Sequence, residues 1–145
     1  MTKPTDHIAQ EMSYIIPTFL RHMFPFVFGP MKMPPQQVLA IVCVEEKGQC
    51  SLGHLAKELH VSAPTVTGIV DRLERDGYMK RIADEHDRRV INVVITPQAK
   101  KVANQFRKNI KQRWAYILNS LPPEDREGPL NMLKKISKGF TDGSI

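Results

Sequence analysis

Two neighbouring stretches decide the fold of this chain: Ser62-Ala63-Pro64-Thr65-Val66-Thr67-Gly68-Ile69-Val70-Asp71-Arg72-Leu73-Glu74-Arg75-Asp76-Gly77, and then Asp84-Glu85-His86-Asp87-Arg88-Arg89. In the first, apolar residues recur at helical spacing while small hydroxyl residues occupy the other side. The second is a polar turn between two β-prone runs, which predicts a hairpin tip with two adjacent arginines. A helix with a small-residue face beside a basic hairpin is what a winged helix-turn-helix needs to read DNA.

Further helices are predicted before this region. Near the N-terminus, apolar residues follow helical spacing at Ile8, Met12, Ile15, Ile16, Phe19, Leu20 and Met23. Thr5 or Asp6 can cap this helix. Pro17 should kink it, because proline lacks a backbone donor and clashes with the preceding turn. Prolines and a glycine between Phe24 and Pro35 then predict an irregular connector.

Two short helices follow the connector in this prediction. The first should run from Pro35 to about Lys47 and end at Gly48. The next should begin after a cap at Ser51. Its stripe is formed by Leu52, Leu55, Ala56 and Leu59. Together with the helix capped by Ser62, it forms the expected helix-turn-helix.

Beyond that helix, the sequence predicts a hairpin and two more helices. Residues 78–82 and 90–95 are the two β-prone runs, and in the second Ile91, Val93 and Ile95 share a face. A long helix is expected from Pro97 to about Ser120. Its apolar side carries Val102, Phe106, Ile110, Trp114, Ile117, Leu118 and Leu121. The break at residues 122–125 should start a last helix, distorted early by Gly128-Pro129. That helix should pack Leu130, Leu133, Ile136 and Phe140.

The predicted fold is therefore mainly α with a small β-hairpin wing. Residues 1–33 form an N-terminal dimerisation helix and connector, residues 34–96 the winged helix-turn-helix, and residues 97–145 C-terminal dimerisation helices. The outer helices are too apolar to stand alone and must bury their stripes, most economically on each other and on a second copy.

Composition narrows the function classes. The chain has 145 residues and a net charge of +6, but residues 51–96 hold seven basic and seven acidic residues, so DNA binding must come from the placement of arginines. The sequence contains no apolar run of about 18 residues, so no membrane-spanning helix is predicted. The first six residues lack the layout of a signal peptide, which indicates a cytoplasmic protein. No glycine-rich phosphate loop, nucleophile elbow or paired metal motif predicts an enzyme, and no cofactor is expected.

The candidate DNA-binding residues lie on the helix and the hairpin tip. Small side chains near the helix N-terminus let the backbone and hydroxyls approach phosphates and base edges. On the helix these residues are Ser62, Ala63, Pro64, Thr65, Thr67, Gly68 and Arg72. Arg88 and Arg89 suit a narrow minor groove, and His86 can donate to DNA. Asp87 is close enough in sequence to pair with Arg89 and hold the turn.

These motifs, together with Ile95-Thr96-Pro97, resemble the MarR family of winged helix-turn-helix transcriptional regulators, and the likeness extends over nearly the whole chain. The resemblance implies a homodimer on a pseudo-palindromic operator, usually as a repressor, released by a small aromatic or anionic effector. It makes residues 62–72 the recognition helix and Arg88 and Arg89 the wing. Gly68 stands where many relatives carry a polar base-reading side chain, and Gln98-Ala99 replaces a usual glycine.

The resemblance also implies an effector cleft between the dimerisation helices and the reading head, which is the winged helix-turn-helix of residues 34–96. Candidate lining residues are Tyr14, His22, Met23, Phe26 and Phe28, although aromatics and methionines at helical spacing are more often packing residues. The alternatives to an effector-released DNA reader are a winged-helix docking module and a thiol-based redox regulator. Cys43 resembles an inert buried thiol, whereas Cys50 precedes a helix N-terminus that can stabilise a thiolate. The histidines are scattered, so no metal site is predicted.

Overall fold

The computed structural model describes residues 3–145. Within that range the chain divides into two compact units, one ending at Asn109 and the other spanning Ile110–Ile145. The elements, in order, are α1 (Asp6–Phe28), α2 (Pro35–Lys47), β1 (Cys50–Ser51), α3 (Leu52–Glu58), α4 (Ala63–Arg75), β2 (Met79–Ala83), β3 (Ile91–Ile95), α5 (Pro97–Asn119), a 3-10 turn (Pro123–Asp125) and α6 (Gly128–Asp142). The predicted fold class, mainly α with a β-hairpin wing, is confirmed.

Helices α2, α3 and α4 begin and end at the predicted signals. Ser51 caps α3 by accepting a hydrogen bond from the His54 amide at 3.0 Å. Gly48 follows α2 with φ +81° and Gly77 follows α4 with φ +84°, in the left-handed region where glycine carries no steric cost. Local capping chemistry therefore fixes these three helices.

The sheet of the first unit is antiparallel with the strand order β1-β3-β2. Strands β2 and β3 form the predicted hairpin, with Met79 opposite Ile95 and Ala83 opposite Ile91. Strand β1, whose Cys50 pairs with Val93, was not predicted, because two residues are too few to show an alternating pattern. The predicted apolar face of β3 is only partly buried: Val93 is inaccessible, but Ile91 lies toward the wing tip and is 40% exposed.

The core of the first unit gathers residues from α2, α3, α4, the sheet and the start of α5. Its fully buried large side chains are Val38, Ile41, Val44, Leu55, Val66, Ile69, Val70, Leu73, Met79 and Val93. All four apolar residues of the α4 stripe are among them, as predicted. One side of α4 is therefore anchored, and the opposite side is left for solvent or a partner.

The predicted connector from Phe24 to Pro35 is wrong at its start. Helix α1 continues through Pro17 and Pro25 to Phe28, and the Gly29 amide donates to the Pro25 carbonyl at 3.0 Å. A proline disturbs only its own donor and the turn before it, so the residues after Pro25 remain helical. The kink at Pro17 stays a prediction.

Helix α5 begins at Pro97 as expected, but Phe106 is the one residue of its predicted apolar side among the residues that it buries. Ala99, Ala103, Phe106 and Asn109 are buried. Asn109 was not predicted, because asparagine is rarely a core residue. Its Nδ2 donates to the Val27 carbonyl at 3.2 Å, and its Oδ1 accepts from Gln105 at 2.7 Å, so its polar atoms are paired.

The second unit contains the end of α5, the 3-10 turn and α6. The expectation of a helix that starts at residues 122–125 and is distorted by Gly128-Pro129 is wrong. Helix α6 starts at Gly128, and Pro129 lies in its first turn, where a missing backbone donor costs nothing. The apolar residues expected to be packed are instead exposed in the single chain, by 52% at Leu130 and 66% at Phe140.

Candidate nucleic-acid interface

Helices α3 and α4 form a helix-turn-helix around a tight turn. Leu55 and Ala56 of α3 pack with the buried stripe of α4 in one cluster. The turn places His60 at φ +55°, and the Val61 amide donates to the Ala56 carbonyl at 3.0 Å. Burial of the two facing stripes orients α4 so that its polar side points away from the core.

The N-terminus of α4 is capped and accessible. The Ser62 hydroxyl accepts from the Thr65 amide at 3.3 Å and donates to Thr65 Oγ1 at 2.8 Å. Every predicted DNA-binding residue of α4 is exposed except Gly68, which is half-buried. Pro64 has no N–H, and the amides of Thr65 and Val66 donate to Ser62, so the Ala63 amide is left at the positive end of the helix dipole, which favours a phosphate.

Gly68 leaves the middle of this face open. A Cβ added there meets only Arg72 Nη2, at 3.7 Å, an ordinary contact. The backbone of α4 can therefore approach another surface closely at this turn. Arg72, one turn further along and exposed, supplies a cationic side chain on the same face.

The wing between β2 and β3 is held by Asp84. Its Oδ2 accepts from the amides of His86 and Asp87, both at 2.9 Å, and its Oδ1 accepts from the Asn92 side chain at 2.8 Å. The bond from the His86 amide is the main reason that the pKa of Asp84 lies below its usual range. Asp84 remains ionised at neutral pH, and its charge is used inside the turn.

The two wing arginines project outward. The Arg89 side chain is 91% exposed, and its Nε lies 3.3 Å from Asp87 Oδ1, which confirms the predicted pairing. Arg88 is exposed, and no carboxylate in residues 3–145 lies within salt-bridge distance of it. His86 is exposed at the same tip. The tip therefore presents two cations: Arg89, which pairs with Asp87, and Arg88, which has no carboxylate partner in residues 3–145.

An ion-pair cluster that sequence reasoning missed joins the wing to α4. Arg81 of β2 contacts Asp71 at 2.5 Å and Glu74 at 2.8 Å. The hydrogen bond to Asp71 is the main cause of the raised pKa of Arg81. Arg81 lies seven positions after Glu74 and ten positions after Asp71, and the turn at Gly77 brings it back to α4. Neither helical nor strand spacing could therefore reveal this contact.

The predicted effector residues lie along α1. Tyr14 is 75% exposed, and His22 Nδ1 lies 2.8 Å from the Thr18 carbonyl of the same helix. Met23 is half-buried and Phe26 is 50% exposed.

A different cavity of about 350 Å³ opens in the first unit. Its polar lining residues are Lys32, Tyr78, Lys101 and Gln105, and Met31, Met33 and Val102 supply apolar walls. In residues 3–145 neither lysine forms an ion pair. The cavity therefore combines apolar surface with two cations, a combination suited to a small anionic molecule with an apolar body.

The burial of Cys50 does not support the alternative of a thiol-based redox regulator. Cys50 is buried in β1, and burial, the largest effect, raises the pKa of its thiol. Burial also raises the pKa of Cys43 to about 11. A raised pKa lowers the thiolate fraction at neutral pH, so neither cysteine has the activation that a redox switch requires.

The rest of the described chain adds no metal or membrane chemistry. Across residues 3–145, no three His, Cys, Asp or Glu side chains lie close enough together to hold a metal ion. In the same residues no helix is long and apolar enough to span a bilayer.

Comparisons with known proteins agree with this architecture. The model of the MarR family matches residues 33–91. The chain is 30% identical over 110 residues to the uncharacterised HTH-type transcriptional regulator YfiV of Bacillus subtilis, covering 76% of this chain and 68% of that protein. The structure of Streptococcus pneumoniae FabT in complex with DNA superposes with a TM-score of 0.73 at 21% identity, covering 94% of this chain and 96% of FabT.

A third similar protein is BpsR of Bordetella bronchiseptica, whose DNA binding is regulated by 6-hydroxynicotinic acid. Its structure has a TM-score of 0.66 and 21% identity, and the match covers 94% of this chain and 97% of BpsR. YfiV and further curated relatives are transcriptional regulators and not enzymes, as the sequence predicted for this chain.

Proposed function

Because the chain belongs to the MarR family of DNA-binding transcriptional regulators, we propose that it acts as a homodimer that represses transcription from a pseudo-palindromic operator and is released by a small-molecule effector. Residues 34–96 are the DNA-binding segment in this proposal. Residues 1–33 and 97–145 are the dimerisation segments.

One observation carries the DNA-binding part of the proposal: a capped helix with an open small-residue face is tied to a hairpin with two exposed arginines. Helix α4 enters the major groove, where Ser62, Ala63, Pro64, Thr65, Thr67 and Gly68 make close backbone and hydroxyl contacts. The methyl groups of Ala63 and Thr65 contact thymine methyls. Arg72 binds a phosphate or base edge on the same face.

The wing supplies the second contact. Arg88 and Arg89 enter the neighbouring minor groove, where negative potential is concentrated, and His86 donates to the backbone. Asp87 fixes the direction of Arg89, and Arg88 provides the adaptable cation. Because Gly68 carries no side chain, much of the selectivity comes from groove shape and the minor-groove contact.

The homodimer is supported by apolar surface that the single chain leaves exposed. In α1 the exposed residues include Ile8, Met12, Ile15 and Leu20. In α6 they include Leu130, Met132, Leu133 and Phe140. Surface of this kind on two helices is more than isolated apolar residues and marks an interface. Two identical reading heads then bind half-sites about one helical turn apart, and the bound dimer blocks the promoter.

The effector part of the proposal has two candidate surfaces. One is the predicted set Tyr14, His22, Met23 and Phe26 on α1. The other is the cavity with Lys32 and Lys101, which has the volume and lining that a small aromatic anion needs. The cavity is the better supported surface, because two lysines and several apolar residues already line it.

Fluorescence anisotropy tests DNA binding directly, with a duplex from upstream of the chain's own gene and a series of salt concentrations. We expect tight binding that weakens steeply with salt. The variant Arg88→Ala/Arg89→Ala should reduce affinity at least about 100-fold and lower the salt slope by about two, because each of the two removed cations no longer releases a counterion from the DNA.

The matched control is Lys134→Ala/Lys135→Ala in α6, which removes the same charge outside the reading head and should leave the slope unchanged. Weak binding that ignores sequence, with no effect of the wing variant, would instead identify a docking module that binds another protein.

A further inference from the structure

Arg81 connects a strand of the wing to helix α4. It lies on β2, one of the two edge strands of the sheet, and its side chain reaches α4. Nη1 donates to Glu74 Oε1 at 2.8 Å, Nη2 donates to Asp71 Oδ1 at 2.5 Å, and the backbone amide donates to Glu74 Oε2 at 3.0 Å. The side chain is only 27% exposed, so this arginine faces carboxylates and not solvent.

The partners of Arg81 are the acidic residues of α4 that DNA would oppose. Asp71 immediately precedes the DNA-facing Arg72, and its side chain is 60% exposed even in the ion pair. Two unpaired carboxylates beside a phosphate backbone would repel it, since like charges at close range oppose binding. The segment from Ser51 to Thr96 has equal numbers of acidic and basic residues, so it has no excess positive charge to offset two unpaired carboxylates.

We infer that Arg81 is a positioning residue for DNA binding: it neutralises Asp71 and Glu74 of the recognition helix without contacting DNA. This inference rests on the proposed DNA-binding function. It assigns two kinds of arginine to the reading head. Arg72, Arg88 and Arg89 face the nucleic acid, and Arg81 faces the protein.

The geometry explains why an arginine is needed. One guanidinium presents several donors in a fixed plane, so it reaches two carboxylates of α4 at once. A lysine at this position carries the same charge but only a single ammonium. Arg81→Lys should therefore retain part of the effect, and Arg81→Gln should lose it.

The test measures operator affinity over the same salt series. Arg81→Gln should weaken binding about 10-fold or more with an unchanged salt slope, because no phosphate contact is lost. Arg88→Ala, measured beside it, should lower the slope by about one. Lys80→Gln removes one charge from the neighbouring position of β2 and should stay within about two-fold of the wild type. Thermal unfolding and circular dichroism establish that each variant is folded.

A rescue variant separates neutralisation from a general loss of structure. Arg81→Gln/Asp71→Asn/Glu74→Gln removes the cation and both carboxylates, and it should recover affinity to within about three-fold of the wild type. The inference is overturned if Arg81→Gln binds like the wild type, if its salt slope falls like that of Arg88→Ala, or if the triple variant recovers nothing. A wild-type protein that binds no duplex would overturn the proposed function as well.

Discussion

Glu45 illustrates how one residue can hold two helices of the first unit together. It lies near the end of α2 with a side chain only 11% exposed, and it accepts hydrogen bonds from Lys100, at 2.6 Å, and from Arg107, both on α5. The hydrogen bond from Lys100 is the largest cause that lowers the pKa of Glu45. A carboxylate that is charged and satisfied in the folded state stabilises that state at neutral pH.

The pH dependence of this contribution has a defined sign. Unfolded glutamate has a pKa of about 4.3, and the folded pKa of Glu45 is lower, so the contribution is complete above that value. It is lost as the pH falls through the folded pKa. Glu45→Gln should lower the free energy of unfolding by about 1–2 kcal/mol at pH 7, because its cationic partners are partly exposed.

Urea denaturation at pH 7 and at pH 3 measures this effect. The difference between the wild type and Glu45→Gln should be clear at pH 7 and small at pH 3. Glu46→Gln is the matched control, since Glu46 is 63% exposed and lies 3.6 Å from Arg107, and it should change stability by under about 0.5 kcal/mol. Equal effects of the two variants at pH 7 would contradict the assignment.

The first and last helices, α1 and α6, are amphipathic, but many of their apolar residues are exposed in the single chain. Helix α1 buries only Val27 fully, and α6 buries only Gly139, whereas α2 and α4 each bury four residues. An amphipathic helix gains most of its stability from packing of its apolar face. In the proposed homodimer, the second copy covers the apolar faces of α1 and α6.

A charge placed on the apolar face of α1 should break that assembly. Ile15→Glu replaces a side chain that is 58% exposed in the single chain with a carboxylate that the dimer would bury without a partner. Burial of an unpaired charge costs several kcal/mol, so the dimer dissociation constant should rise at least roughly 100-fold. Sedimentation velocity measures the change.

Gln10→Glu adds the same charge to the opposite face of α1 and should leave the assembly intact. Leu133→Glu makes the corresponding test on α6. A wild-type chain that sediments at the 16.5 kDa of one copy, or an Ile15→Glu variant with unchanged mass, would refute the dimer.

For the molecule as a whole, the cavity of the first unit offers a route from an effector to the reading head. Tyr78 lines the cavity, and its amide donates to the Leu73 carbonyl of α4 at 2.7 Å. Its carbonyl accepts from the Thr96 amide at 3.0 Å, next to α5. A ligand that displaces Tyr78 would therefore move the end of the recognition helix, which is the differential contact that effector release requires.

A small aromatic anion should consequently weaken operator binding. The preformed complex is titrated with aromatic carboxylates and with the corresponding amides as neutral controls. We expect an active acid to lower operator affinity about 5- to 150-fold, the usual range of coupling between two sites, and its amide to have little effect.

Lys101→Met should abolish that response, and Lys108→Met, a charge-matched change elsewhere on α5, should preserve it. Loss of the response in Tyr14 or His22 variants, with Lys101→Met unaffected, would move the effector site to α1. No response to any acid, from a protein that remains folded and DNA-bound, would remove the effector from the proposed function.

The sequence by itself determined the features that local chemistry controls. Caps at Ser51 and Ser62, glycines after α2 and α4 and the four-residue stripe of α4 predicted the helix-turn-helix, because hydrogen bonds and steric limits within a few residues decide such signals. The hairpin, its arginines and the Asp87–Arg89 pair followed from short-range spacing in the same way. Most of the candidate DNA-binding surface was therefore visible in 28 consecutive residues, from Ser62 to Arg89.

Only the tertiary structure decided what depends on residues far apart in the chain. The Arg81 cluster, the tie of Glu45 to α5, the buried Asn109 and the cavity with Lys32 and Lys101 each join side chains from different elements. The burial of Cys50 beside β3 likewise opposes the thiolate that its place before a helix N-terminus could have stabilised. Long-range pairing and desolvation leave no periodic trace in a sequence, because they arise only when separate elements pack against one another.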